Sequence, residues 1–111
     1  MATKVLICLY GNEVSPRFDL TREVLIALIE KEGTVGGEKE VVLPQASVEM
    51  LCHMILSEGI QVVICGGIEE EYYQYLKWKN VKVIDSVIGE CKPVLQRLAQ
   101  GRLKAGDILP E

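Results

Sequence analysis

Residues Lys4–Tyr10 read KVLICLY, a nearly continuous run of apolar, mostly branched side chains that stops at Gly11-Asn12. Successive side chains of a strand point to opposite faces, so a run without polar alternation has to be covered on both sides. The run therefore predicts a central strand, and a sheet lying between two other layers. Ile60–Cys65 (IQVVIC) has the same character and runs directly into Gly66-Gly67.

The segments around these runs have helical period. Ser47 opens a helix in which Val48, Leu51, Cys52 and Ile55 fall at i, i+3, i+4 and i+7, and Gly59 closes it. A second helix opens at Glu69-Glu70-Glu71, whose charges suit the positive end of a helix dipole. Lys77 and Lys79 suit its other end, and Asn80 ends it. Val81–Ile84 reads as a short strand and Ser86–Glu90 as a loop. A third helix carries Cys91, Val94, Leu95 and Leu98 on one face as far as Gln100, with Pro93 tolerated in the first turn and Gly101 as cap. Upstream, Glu23–Glu30 fits a strand or a short helix by periodicity. Its length and the glycines at 33, 36 and 37 favour a strand, with Lys39–Leu43 as its hairpin partner and Pro44 as the stop.

Strands alternating with helices after residue 45 imply right-handed crossovers and parallel pairing, while the early hairpin adds antiparallel pairing. The fold class that follows is α/β: a three-layer α/β/α domain with a mixed sheet of about five strands and about three helices. With 111 residues there is room for a single domain. The reading is one domain over residues 1–103, with Arg102 onward, and residues 104–111 in particular, as a loosely held tail.

Hydrophobic residues at 49% and charged residues at 25% exclude a disordered or collagen-like chain. A net charge of −4 and a pI near 5.1 speak against a general nucleic-acid binder, which needs a basic stripe. No apolar run approaches the roughly 18 residues of a membrane span. The amino terminus lacks the pattern of a signal peptide, so the expected location is the cytoplasm, where thiols stay reduced. Cys8, Cys52, Cys65 and Cys91 show no CxxC or zinc-knuckle spacing. The phosphate loop G-x-x-x-x-G-K-[ST] and the nucleophile elbow G-x-S-x-G are both missing, and the one histidine lies far from any plausible serine nucleophile. The expectation is a protein that is not an enzyme.

In open α/β sheets, ligands bind outside the carboxyl ends of the parallel strands. Three stretches leave such ends: Gly11–Asp19, Cys65-Gly66-Gly67 and Asp85–Cys91. If the strands are neighbours, one rim gathers Arg17, small polar groups, glycines and a strand-end thiol. Backbone N–H groups at helix starts favour anions there, and Gly-Gly lets a ligand come close. Cys65, beside a helix amino terminus, is the candidate thiolate. Each element also has a plainer role. Gly66-Gly67 can be a tight turn, Phe18 can plug the core, and Arg17 with Asp19 can be a surface pair. Cys8, Cys52 and Cys91 sit in phase with apolar neighbours and read as core. His53 lies off the apolar face of its helix, next to Met50 and Met54, as a surface or interface residue.

The combination GNEVSPRFD after an apolar strand, VVICGGI after a helix, and GECKPVLQRL leading to Gly101-Arg102-Leu103 resembles the dinitrogenase iron–molybdenum cofactor biosynthesis family, from about Lys4 to Leu103. The resemblance implies an RNase H-like α/β/α fold without the RNase H catalytic carboxylates. It also implies a role in cofactor biosynthesis through binding, carrying or inserting a metal–sulfur cluster. Cofactor-carrying members often have a histidine before the phenylalanine, in an S-x-H-F segment. Arg17 stands there in this chain, so the likeness is to a small stand-alone member. A guanidinium cannot coordinate iron, but it can hold a negative cluster by charge and hydrogen bonds.

The leading reading is thus a non-catalytic accessory protein for an anionic metal–sulfur cluster, either Fe–S or Mo–Fe–S. Its cofactor-binding residues would be Asn12, Ser15, Arg17, Asp19, Cys65, Gly66, Gly67 and Gly89, with Cys65 as metal ligand and the amides of Gly66, Gly67 and Gly89 donating to sulfides. Its partners would be a cluster-donor or cluster-acceptor protein, with no nucleic acid and no membrane. The alternative is a cluster-free interaction or regulatory module, in which Tyr72, Tyr75 and Trp78 form a partner or homodimer face. A third reading is binding of a small anion such as a nucleotide phosphate at the same rim.

Overall fold

The structure, a computed structural model, describes residues 2–109. Its strands are β1 (Thr3–Tyr10), β2 (Glu13–Val14), β3 (Glu23–Ile29), β4 (Val35–Val42), β5 (Val62–Ile64), β6 (Lys82–Ile84), β7 (Ile88–Gly89) and β8 (Ile108–Leu109). The helices are α1 (Val48–Ser57), α2 (Glu70–Trp78) and α3 (Cys91–Ala99), and a 3-10 turn covers Phe18–Leu20. The main sheet runs β4-β3-β1-β5-β6, with β2 folded onto β1. β1 pairs antiparallel with β3 and parallel with β5, and β5 is parallel to β6, so the sheet is mixed as expected.

β1 is the centre, and Val5–Leu9 are all buried. Its side chains divide strictly by parity. Leu6 and Cys8, with Val24, Ile26, Val63 and Cys65, face a core closed by Leu51 and Ile55 of α1 and Leu76 of α2. Val5, Ile7 and Leu9, with Leu25, Ala27, Ile64 and Ile84, face a second core closed by Val94 and Leu95 of α3. Each fully buried aliphatic side chain stabilises the fold by about 1.5–3 kcal/mol. Two cores on one strand explain why KVLICLY has no polar position between Val5 and Leu9.

The helix boundaries follow from their caps. Ser47 Oγ accepts the Met50 amide at 3.2 Å, and the residues that terminate the helices, Gly59, Asn80 and Gly101, all take positive φ. Among the described residues, no helix is long and apolar enough to cross a membrane.

Three expectations need correction. β4 starts at Val35, not Lys39, because Gly33 alone makes the turn. The Glu30 amide donates to Thr34 O at 2.8 Å, and Gly36-Gly37 belong to the strand, opposite a register shift between Ile26 and Leu28. The Ser86–Glu90 loop contains β7. The tail is not loose over its described part, since β8 pairs with β7 and Leu103 and Leu109 are buried in the α3 core. Pro110 and Glu111 of the expected tail, and Met1 of the expected domain, lie outside the described residues.

Candidate functional site

The three strand-end segments do meet. β2 turns the chain back along β1, and the Ser15 amide donates to Cys8 O at 2.7 Å. The chain then runs beside the end of β5. Gly66 N donates to Ser15 O at 2.9 Å, Gly67 N to Pro16 O at 2.7 Å, and Phe18 N to Gly67 O at 2.8 Å. The segment after β6 closes from the other side, with Ser86 N donating to Gly66 O at 2.8 Å and Val87 N to Cys65 O at 3.1 Å. The first loop also reaches α3, because Cys91 N donates to Asn12 O at 2.8 Å and Glu13 bridges Glu90.

Between these loops lies a cleft of about 490 Å³. Its walls are mainly apolar: Tyr10, Val14, Pro16, Val87 and Ile88. Tyr10 is 76% exposed and Ile88 58%, so two large apolar surfaces stand at its mouth. Ser86, on its border, holds a left-handed backbone (φ 59°), which is uncommon for a residue with a side chain. Sequence reasoning missed Tyr10 and Ile88. Tyr10 reads as the last residue of an apolar strand, and only its place beside Gly11, beyond the last core position, hints at exposure.

The structure disagrees with much of the expected ligand set. Cys65 is fully buried in the α1–α2 core, in phase with Val63, and its thiol does not line the cleft. Burial, with Cys8 and Asp85 nearby, pushes its pKa strongly up, the reverse of the shift expected beside a helix amino terminus. The metal-ligand role expected for Cys65 is therefore corrected: it is a core thiol. The amides of Gly66 and Gly67 already donate to the first loop, which leaves them unavailable to sulfides. Gly66 is glycine because a Cβ would stand 2.5 Å from Ser15 O and 2.7 Å from Pro16 Cα. Gly89 is glycine because a Cβ would overlap the Leu109 carbonyl of β8.

The remaining residues are placed as follows. Ser15 is buried, and its hydroxyl donates to Arg17 O at 3.0 Å, as does that of Thr21 at 2.9 Å. They lock the loop. The Arg17 guanidinium is exposed but clamped by Asp19 through both oxygens, with Nε to Oδ1 at 3.0 Å, and this pairing raises its pKa further. Asp19 thus neutralises the charge expected to hold an anion. Asn12 borders a different hollow, beside Glu38, Glu40 and Cys91. Phe18 is fully buried, and Cys8 and Cys52 are core residues, as read from the sequence. Glu13 lines the cleft and adds negative charge, while Glu90, its bridge partner, borders the hollow beside Asn12. Among the described residues no group of three or more His, Cys, Asp or Glu is placed to hold a metal ion. The residues present do not fit a directly ligated cluster.

A mixed sheet centred on β1, with two helices on one face and one on the other, makes this a three-layer α/β/α protein with its cleft at the strand ends. The chain belongs to the dinitrogenase iron–molybdenum cofactor family, whose model matches residues 2–101. It is similar in structure to the protein PH0822 (TM-score 0.84, 24% identity, covering 93% of this chain and 94% of that one). It is also similar to a Methanocaldococcus jannaschii protein provisionally described as a dinitrogenase (0.76, 22%, 94% of each chain). A Thermotoga protein provisionally described as a NifB protein shares the fold (0.69, 21%, 93% and 92%). No curated protein matches the chain significantly.

Proposed function

We propose that this protein is a non-catalytic accessory protein in the handling of an anionic metal–sulfur cluster, of iron–molybdenum or iron–sulfur type. It works by presenting the strand-end cleft to the donor or acceptor protein that ligates the cluster. The cluster stays on that partner's ligands. Family membership supports the link to a cofactor, and one observation carries the manner of action: the rim seals its thiol and spends its glycine amides internally, yet leaves Tyr10 and Ile88 exposed. Exposed apolar side chains around a concave surface suit protein contact, whereas Glu13 on its wall repels a bare anion.

The test is twofold. Anaerobic incubation with iron, sulfide and molybdate should leave metal content and visible spectrum unchanged in wild type and in Cys65→Ser. Cluster passage from a loaded iron–sulfur donor protein to an apo-acceptor, followed by absorbance, should quicken with wild type and slow again with Ile88→Asp. A stable chromophore lost in Cys65→Ser would overturn the manner of action, and an unchanged transfer rate would overturn the accessory role. The exposed Trp78 of α2 favours a second reading, a cluster-free interaction module. Unchanged transfer together with loss of a partner on Trp78→Ala would establish it.

A further inference from the structure

The exposed side of α2 is complementary to itself. Glu69, Glu70 and Glu71 open the helix, Lys77 and Lys79 close it, and Glu71, Tyr75 and Trp78 form an exposed stripe at i, i+4 and i+7. Trp78 is 73% exposed, a large apolar surface to leave in water. The Lys79 ammonium lies 4.5 Å from its ring centroid and 5.8 Å from that of Tyr75, so rings and cation form one patch at the carboxyl end.

The amino-terminal half of α2 presents the counterpart. A groove of about 400 Å³ runs between α1 and α2 over Val48, Cys52, His53 and Tyr72, with Glu49 and Glu71 on its borders. Neither carboxylate is paired with a cation among the described residues. The local field is negative: Glu71 and then burial, with Glu69 and Asp19, raise the pKa of the Tyr72 hydroxyl.

We propose that a second copy of this chain docks here, with the two α2 helices antiparallel across a two-fold axis near Tyr75. Each helix residue advances about 1.5 Å along the axis, so positions three before and three after Tyr75 lie level across the pair. The partner's Trp78 then meets the groove at Tyr72, and the partner's Lys79 meets Glu71. The contact is isologous, so each pairing occurs twice. Charge complementarity argues for this occupant: the groove is apolar with acidic borders, and the aromatic tip that fits it carries a cation. The groove shares no lining residue with the strand-end cleft, and the dimer does not depend on the function proposed for that cleft.

Sedimentation velocity from about 1 µM to about 1 mM tests it, a range that covers weak and moderate association. The expected result is a shift with concentration from 12.3 kDa toward twice that mass, weakened by added salt. Trp78→Ala should weaken association by about tenfold or more. Glu71→Lys and Lys79→Glu should each give a monomer, and the two combined should restore the dimer. These positions are exposed, and far-UV circular dichroism confirms that each variant is folded. Ile88→Asp, in the cleft, should leave the dimer intact. A wild-type chain that stays monomeric throughout overturns the proposal, as does a dimer indifferent to Trp78→Ala. Failure of the charge exchange to restore association overturns the antiparallel pairing.

Discussion

The Gly66 amide donates to the Ser15 carbonyl at 2.9 Å, and a Cβ on Gly66 would stand 2.5 Å from that same oxygen. The hydrogen bond that joins the first loop to the end of β5 therefore exists only because Gly66 has no side chain. Gly66→Ala must push the Ser15-Pro16 backbone away, and overpacking against backbone costs about 1–3 kcal/mol. At Gly67 the added carbon would lie 3.4 Å from Pro16 O, an ordinary contact. Gly67→Ala should change stability by less than about 1 kcal/mol. Urea denaturation of both variants checks this, and equal losses would show that the close approach is not what selects glycine.

Gly89 stands in the same relation to Leu109. Its φ is +146°, and a Cβ would overlap the Leu109 carbonyl, so Gly89→Ala should free β8 from β7. Hydrogen exchange at the Ile88 amide, which donates to Asp107 O at 3.0 Å, should then quicken. Leu109 is 5% exposed in the α3 core. Leu109→Ala should cost about 2–3 kcal/mol, toward the low end for a buried leucine because the site lies near the surface. A loss below about 0.5 kcal/mol would mean that the carboxyl-terminal segment does not hold this position in solution.

The thiols of Cys8, Cys65 and Cys91 should differ sharply toward iodoacetamide. Cys91 is partly exposed, while Cys8 and Cys65 are fully buried. The thiolate is the nucleophile, and burial, then Glu38 and Glu40, raises the Cys91 pKa to about 11. Cys91 should label first but slowly, and Cys8 and Cys65 only when the protein unfolds. Mass spectrometry of the labelled native protein reads the order. Labelling of Cys65 at the rate of Cys91 would reopen its candidacy as a ligand.

What the sequence announces here is set by how many faces each element buries. β1 and β5 contact both cores, and a strand covered twice has to be written as an apolar run. α1 is bounded by Ser47 and Gly59, whose side chain and backbone freedom mark its ends. β7 and β8 are two residues each, too short for any period, and their pairing joins Ile88 to Ile108 across the whole of α3. Nothing local encodes that. The meeting of the three loops followed from topology, but their contents did not. Gly66 is needed equally by a ligand pressing on the backbone and by a neighbouring loop, so glycine alone cannot tell the two apart. The phase shared by Val63 and Cys65 was legible and puts both on one face. That this face is sealed depends on how α1 and α2 pack.

The buried thiols set an alkaline limit on stability. Cys8 is fully buried, and its pKa is pushed up from 9.0 to about 12, chiefly by burial, with Thr21 partly opposing and Cys52 adding to it. Below pH 9 the thiol is protonated in both folded and unfolded chains, so stability is independent of its titration. Between pH 9 and 12 the unfolded chain releases this proton while the folded chain retains it. The unfolded state then binds fewer protons, and stability falls as pH rises, by about 1.4 kcal/mol per pH unit for this one group. Cys65 acts in the same direction. Urea midpoints of wild type and Cys8→Ala, taken at intervals between pH 8 and 11, separate the contribution of Cys8 from that of lysines and tyrosines titrating in the same range. The variant should be less stable at pH 8 because of the cavity, yet lose less of its stability by pH 11. Parallel pH profiles for the two proteins would show that Cys8 ionises as readily folded as unfolded, and that the core does not exclude water from it.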